Sequence, residues 1–472
     1  MQERPNIVWI TLDSIRQDRT NMGEYERNTT PHMERIAERD TATAFTDCIA
    51  HGIWSLTSDA SVLSGLYPSQ HGTGFWNDVL PDDVRTVPER FSDLGYHTAG
   101  LSTNGYLTEA TGLDRGFDRF EWVNKSNLLK TVGPRILLKY LLRLRTESAG
   151  YTAPLDYHRS DYLSTQYAKS WIDDFAGTAE PFFMFVHMLG AHIPYVPPLP
   201  YRAEFTDDID LPSDDAVDIA YDTSLNYYRE IAHGCEHSPS VQDAIDSQYD
   251  GLVKYVDRKI GTLFDYVDAT TRGPTVFVVT ADHGDLLGER GILGHQLVVH
   301  DGLINVPLVV HGLPSLAALP RESLVQHIDV MRALLREAGA STSDLADMEG
   351  VDPRQTTRQY ALSQRGHDTY EKAIDEIRHH RADFDADPYQ PGLLHSVRSH
   401  THKFVQGSEH ERFYELPDET ENLRPSQEGM AAKYRRFLED SLDSFEEIHD
   451  SAEREVSDAM RRQLQDLGYV VE

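Results

Sequence analysis

Five short segments carry carboxylate, imidazole and hydroxyl side chains just beyond apolar runs. Asp13 closes the run Asn6–Thr11 and is followed by Ser14 and Arg16. A carboxylate in the loop after a buried strand is well placed to hold a divalent cation, although Asp is also a common turn or capping residue there. Asp282-His283-Gly284-Asp285 closes a second apolar run and offers hard and borderline ligands side by side. Ser55, Thr57 and Ser58 cluster before a helix-like stretch that ends at Gly65. A hydroxyl at a helix N-terminus lies in positive potential, which favours an alkoxide or a bound anion; an ordinary N-cap is the alternative. His187 and His192 lie beyond a further apolar run, and His295 sits between Gly294 and Gln296. Each can carry a proton near neutral pH, and each taken singly is more often structural.

The elements that must position these groups follow from periodicity. Asn6–Thr11, Tyr96–Ser102, Phe182–His187, Thr275–Thr280 and Val306–His311 read as buried strands. Helix-compatible stretches lie between them: Thr30–Arg39, Asp59–Ser64, Val87–Leu94, Asp161–Phe175 and Ser247–Val267. Strands alternating with helices imply an α/β fold, a mostly parallel sheet covered on both faces. The character changes after about residue 345. Gln359–Ser363, Ser396–Arg398, Lys403–Gln406 and Arg412–Glu415 read as strands of a small antiparallel sheet, and Met430–Leu467 as helix. Two domains are therefore expected, a catalytic α/β unit over 1–345 and a small α+β subdomain over 346–472.

Composition narrows the function. The chain has 472 residues and a formal charge of -33, with only nine lysines. Its acid is spread along the whole length, which argues against nucleic-acid binding because phosphates are repelled. It suits a protein working in high salt, where the Debye length falls to about 3 Å and self-repulsion is screened. An ordinary acidic enzyme is the alternative. Segment 125–145 breaks the pattern. Lys125, Lys130, Arg135, Lys139, Arg143 and Arg145 occur there with no acid between them, among eight leucines and isoleucines. It reads as a basic amphipathic helix that either packs on the acidic body or meets a membrane surface; the first is the commoner fate. Met1–Pro5 shows no secretory pattern, no apolar run reaches the length of a membrane span, and Cys48 and Cys235 stand alone. A cytoplasmic protein is expected.

Together the ordered segments resemble the sulfatase family of the alkaline phosphatase superfamily. Pro5–Asp13 resembles that family's opening strand and first metal-binding acid. Ala60–Pro68 with His71-Gly72 resembles the stretch after the family nucleophile. Thr111–Phe120 is similar to its Gly-Phe-Asp segment, and His192-Ile-Pro-Tyr to its catalytic-His loop. Asp282-His283-Gly284 with Leu287–Gly291 resembles its second metal motif. Val397-Arg398, Lys403-Phe404, Tyr414–Leu416, Glu421–Leu423 and Leu467–Tyr469 resemble its C-terminal part. The resemblance implies an alkaline-phosphatase-like three-layer sandwich and a metal-dependent hydrolase of small or glycan sulfate esters. It implies one divalent ion, calcium by family with manganese or zinc as alternatives, held by Asp13, Ser55, Asp282 and His283. His192 and His295 then serve proton transfer or anion binding, and Arg16, Asn104 and His187 contact substrate; pairing of Arg16 with Asp18 on the surface is the alternative for that residue.

The departures bear on the chemistry. The family's nucleophile is a Cys or Ser in Cys/Ser-x-Pro-x-Arg, oxidised to formylglycine. Registering Ala60–Gly65 places Ser55 at that position, with Thr57 for the Pro and Asp59 for the Arg. The family's Gly-Lys-Trp-His-like segment appears as Ser102–Tyr106. Relatives with an unmodified Thr or Ser nucleophile, among them phosphoethanolamine- and phosphoglycerol-transferring enzymes, use a similar ligand set. An unmodified Ser55 acting as hydrolase or transferase on a phospho- or phosphonoester is thus the second expectation. A weakened member that only binds anions or glycans, argued from Asp59, is the third.

Overall fold

In the computed structural model, residues 3–123, 131–152, 157–207 and 209–445 are described. An eight-stranded sheet forms the centre. Its strands are β1 (Asn6–Leu12), β2 (Ala42–Ile49), β3 (His97–Ser102), β4 (Arg119–Trp122), β5 (Phe182–Met188), β6 (Thr275–Ala281), β9 (Asn305–His311) and β10 (Leu324–Val325). The order is β10-β2-β9-β6-β1-β5-β3-β4. β9 runs against both its neighbours, and the remaining pairs are parallel. All seven residues of β1 and of β5 are buried, the pattern expected of parallel strands covered on both faces by helices. The alkaline-phosphatase-like, mostly parallel sandwich read from the sequence is therefore what forms.

Register sets the site. Leu12 pairs with both Met188 and Ala281, so β1, β5 and β6 end at the same level. The loops starting at Asp13, Leu189 and Asp282 leave from neighbouring points on one edge of the sheet, where open α/β sheets build their sites. The helix Ser55–Ser64, buried along its whole length, brings its N-terminus to the same edge. A two-stranded ribbon, β7 (Leu286–Leu287) with β8 (Leu293–Gly294), follows the Asp282 loop.

Several elements differ from the sequence expectations. The helix at Ser55 begins four residues before Asp59, because serines and threonines that favour caps are here helical and buried. The helix expected over Ser247–Val267 runs from Pro239 to Thr270, started by Ser238, whose side chain accepts from the Val241 amide. β2, β4 and β10 carry no clear apolar period and were not anticipated; the helix His367–His380, whose Tyr370, Ala373, Ile374 and Ile377 follow a helical period, was not singled out either. The C-terminal antiparallel sheet forms in the order β11 (Ala361–Arg365), β12 (Leu394–Arg398), β13 (His402–Gln406) and β14 (Glu411–Glu415). The helix Glu428–Ser444 packs on it through Ala431, Tyr434 and Leu438. The rest of the expected Met430–Leu467 helix, and Leu467–Tyr469, lie outside the described residues. Buried Arg398 and Lys403 both reach Asp301, pinning this sheet to the segment just beyond the Asp282 loop.

Within the basic segment, the helix Gly133–Leu141 sends Tyr140 into the core while Leu138, Leu141 and Leu142 face solvent. Residues 124–130 lie outside the described residues. No helix among the described residues is long and apolar enough to cross a membrane. Both cysteines are free and buried.

One buried histidine gives a pH-dependent handle on the fold. His71 accepts from the Thr73 amide at Nδ1 (3.0 Å), and its Nε2 lies 2.9 Å from Ser61 Oγ. That bonding keeps the ring neutral, and burial pushes its pKa down to about 3. The unfolded chain takes up this proton near pH 6.5 and the folded chain does not. The resulting stability is complete above pH 6.5 and is lost as pH falls toward 3, at about 1.4 kcal/mol per unit. Between pH 7 and pH 5, urea unfolding of the wild type is expected to lose about 2 kcal/mol more than unfolding of His71→Gln. Equal losses in the two proteins would refute this account.

Candidate active site

Asp13, Ser55, Asp282 and His283 converge at the sheet edge, each no more than 5% exposed. Ser55 Oγ donates to Asp13 Oδ2 (3.4 Å) and lies 3.3 Å from His283 Nε2. His283 Nε2 is 3.6 Å from both Asp13 Oδ1 and Asp282 Oδ2. Hydrogen bonds already made decide which atoms remain available. Asp282 Oδ1 accepts the backbone amides of Ser14 (3.3 Å) and His283 (2.8 Å), so Oδ2 is the oxygen turned to the centre. His283 Nδ1 donates to the Gly284 carbonyl (2.9 Å), which places the ring proton there and leaves the Nε2 lone pair facing the cluster. Asn104 donates to Asp13 Oδ2 (3.2 Å) and orients it, and the Ser14 hydroxyl donates to Asp13 Oδ1 (2.9 Å).

This donor set fits a divalent cation. Ligands at right angles and about 2.4 Å from an ion lie about 3.4 Å apart. The observed spacings of 3.3 to 3.6 Å agree. Two carboxylates buried this deeply without a Lys or Arg on either also call for positive charge. Burial works to lower the His283 pKa, but Asp282 and Asp13 outweigh it and raise it.

The three clustered hydroxyls separate by their partners. Thr57 donates to the Gly74 carbonyl (3.0 Å) and Ser58 to the Gly52 carbonyl (3.3 Å). Ser55, the first residue of its helix, is the one that faces Asp13 and His283.

Two further imidazoles stand over this centre. His295 is 4.4 Å from His283 and 5.5 Å from His192, centroid to centroid. His295 Nδ1 donates to Asp285 Oδ1 (2.7 Å), whose other oxygen accepts from the Tyr195 hydroxyl (2.9 Å). His192 Nδ1 donates to the Ile193 carbonyl (2.8 Å). Both rings therefore keep Nε2 for exchange with a bound molecule. Burial, with help from His283, lowers the His295 pKa. Arg16 forms the pair with Asp18 that the sequence left open as one of two readings. Arg16 is buried while its partner Asp18 stands exposed at the surface, and Glu289 and the Asp285 carbonyl take the remaining Nη1 bonds of Arg16. His187, at the end of β5, points under the cluster, with Nε2 3.2 Å from Asp282 Oδ2 and 3.4 Å from Asp59 Oδ2.

Several positioning residues were not singled out from sequence. Arg159 donates to the carbonyls of Gly190 and His192, and Asp161 accepts the Gly190 amide. They hold the His192 loop, and the only sequence sign was an acid opening the helix Asp161–Phe175. Gly190 lies against Asp13 so closely that a Cβ would fall 2.1 Å from the Asp13 carbonyl oxygen. Asp285 and Tyr195 stood inside quoted motifs, but their shared role in aligning His295 is visible only in three dimensions.

Residues 5–340 match the sulfatase family. An uncharacterized sulfatase of Escherichia coli, YidJ, is 20% identical over 390 residues, covering 78% of this chain and 75% of that protein. An arylsulfatase of Clostridium perfringens is 23% identical over 391 residues, covering 74% and 77%. Among solved structures, a phosphonate monoester hydrolase of Agrobacterium radiobacter superposes with a TM-score of 0.68 at 19% identity. That superposition covers 93% of this chain and 95% of that one.

If the cluster binds a divalent ion, Asp13→Ala should weaken Mn2+ or Ca2+ binding by about 100-fold or more, since even outer partners of metal ligands contribute 10- to 100-fold. Equilibrium dialysis of the folded variant measures this, and an unchanged affinity would remove Asp13 from the ligand set.

Proposed function

This chain belongs to the sulfatase family and is a sulfuric ester hydrolase; on that premise we propose that residue 55 is its nucleophile. The observation that carries this is the position of Ser55 Oγ, at a helix N-terminus and within 3.4 Å of Asp13 and His283. We assign Asp13, Ser55, Asp282 and His283 to one divalent ion, calcium by family resemblance. When bound, such an ion polarises the ester oxygen and lowers the pKa of the Ser55 hydroxyl.

The chain's own groups then divide the work. Asp13 Oδ2 lies in the direction of the proton of the residue-55 hydroxyl, that of Ser55 or of a formylglycine hydrate made from it, and this oxygen forms its bond to sulfur as the bond from sulfur to the leaving oxygen breaks. His192 and His295 present Nε2 on the side from which ester enters, and a proton held there passes to the leaving oxygen. Water then releases sulfate from residue 55. Asp285 and Tyr195 keep His295 in the tautomer this needs, and Asn104 keeps Asp13 aimed. Arg16 has its charge balanced by Asp18 and Glu289, so its contribution is to brace the Asp13 and Asp282 loops against each other.

A second reading has a specific observation behind it. Thr57 and Asp59 replace the Pro and Arg of the formylglycine motif, which favours an unmodified Ser55 hydroxyl and transfer from a phospho- or phosphonoester. Intact-peptide mass across Ser55, with turnover of a panel of sulfate and phosphate esters in high salt, separates the two. Sulfate-ester turnover with an aldehyde at residue 55 supports the first. Unmodified Ser55 with faster phosphodiester turnover supports the second.

Ser55→Ala is expected to reduce turnover of the accepted ester by at least about 1,000-fold, and His295→Asn by roughly 100- to 10,000-fold. Undiminished turnover in Ser55→Ala would move the nucleophile elsewhere.

A further inference from the structure

Behind the nucleophile lies a second group of ligands. Asp59 stands one helical turn after Ser55 on the buried helix and is fully inaccessible, and neither of its carboxylate oxygens has a hydrogen-bond partner among the described residues. A buried acid in that state is rare and costly, because an unpaired carboxylate loses its hydration with nothing in return. What it faces is His187 Nε2, 3.4 Å from its Oδ2. The same nitrogen is 3.2 Å from Asp282 Oδ2. All three ligand atoms lie within 4.8 Å of one another, and all three residues are fully buried.

We propose that Asp59, His187 and Asp282 Oδ2 form a second divalent-cation site of the zinc or manganese class, sharing Asp282 with the first. Three lines support it. The two spacings from His187 Nε2, 3.2 and 3.4 Å, match a transition-metal ion, since tetrahedral ligands with bonds of about 2.1 Å lie about 3.4 Å apart. The donors are two carboxylates and an imidazole, a mixture that suits zinc or manganese better than an all-oxygen calcium cage. Charge balance agrees with it. Asp13, Asp59 and Asp282 bring three carboxylates into one buried volume, and one divalent ion offsets only two of those charges. A second divalent ion would make the volume cationic without any arginine, since the nearby Arg16 is already neutralised by Asp18 and Glu289; a proton on Asp59 or on His187 Nε2 is the competing source of that charge. Asp282 Oδ1 is saturated by two amides, and its Oδ2, whose hydrogen-bond partner is the proposed ligand His187, is the oxygen that faces both groups.

The alternative occupant is a proton, with Asp59 a neutral acid and no second metal. Metal stoichiometry separates the two, and it does so independently of whether any ester is turned over. The full chain is dialysed against Zn2+ and, separately, Mn2+, in high salt that displaces ions held loosely by the acidic surface, and bound metal is counted. Two equivalents are expected in the wild type and one in Asp59→Asn, with circular dichroism showing the variant folded. At saturation with Mn2+, two ions sharing Asp282 should give an exchange-coupled paramagnetic resonance spectrum in the wild type and an isolated-ion spectrum in the variant. Saturation of the wild type at one equivalent with an isolated-ion spectrum would overturn the proposal. So would a second equivalent retained by Asp59→Asn. Should that variant not fold, His187→Gln takes its place, and the wild-type spectrum alone still decides.

Discussion

The structure is organised around buried carboxylates that no lysine or arginine neutralises. Asp13 and Asp282 are almost wholly withdrawn from water, and Asp59 completely so. Removing such ions from water costs several kcal/mol each unless opposite charge and hydrogen bonds compensate. Part of the compensation is visible in the amides of Ser14 and His283 on Asp282 and in Asn104 on Asp13. The rest must be cationic. The donors are arranged as ligands would be, with His283, His295 and His192 each bonded through Nδ1 so that Nε2 is left for the centre.

The scaffold exists to hold that arrangement rigid. β1, β5 and β6 are neighbours that end level, so their following loops meet without long excursions. Each loop is then tied to another element. Tyr249, on the Pro239–Thr270 helix, accepts from the Arg16 amide and donates to the Ser14 carbonyl. Arg159 and Asp161 clasp the loop after β5. Gly190 allows that loop to lie on the Asp13 backbone, where a side chain would clash. Ser14 itself takes a left-handed conformation (φ 62°), strain tolerated because its amide and carbonyl are both fixed.

What could be read from the sequence follows from which forces leave a linear signature. β1, β5 and β6 are unbroken apolar runs because both faces are buried, and each was legible within a residue or two. β2 is Ala-Thr-Ala-Phe-Thr-Asp-Cys-Ile, half-exposed at several positions, and it owes its existence to pairing with β9 and β10. β10 is two residues long and has no period at all. The Asp13 and Asp282-His283 groups were legible because each ends a strong strand. The environment of Asp59 was not, because His187 is 128 residues away and Asp282 further still. Position 59 read in isolation suggests a lost cation. Only the fold shows that it faces an imidazole.

That contrast bears on how the site obtains its positive charge. A chain of net charge -33 repels an anionic ester at long range, and salt screens that field beyond about 3 Å only at high ionic strength. Within the site screening is of little help, since the groups are buried and in contact. Where the family's motif has an arginine, this chain has Asp59, and among the described residues the nearby Arg16 is already paired with Asp18 and Glu289. On the proposed assignment the positive charge comes from groups bound or protonated on demand, metal ions and histidines. A site so built would gain adjustability, its charge responding to metal supply and pH in a way that an arginine, protonated under all ordinary conditions, does not.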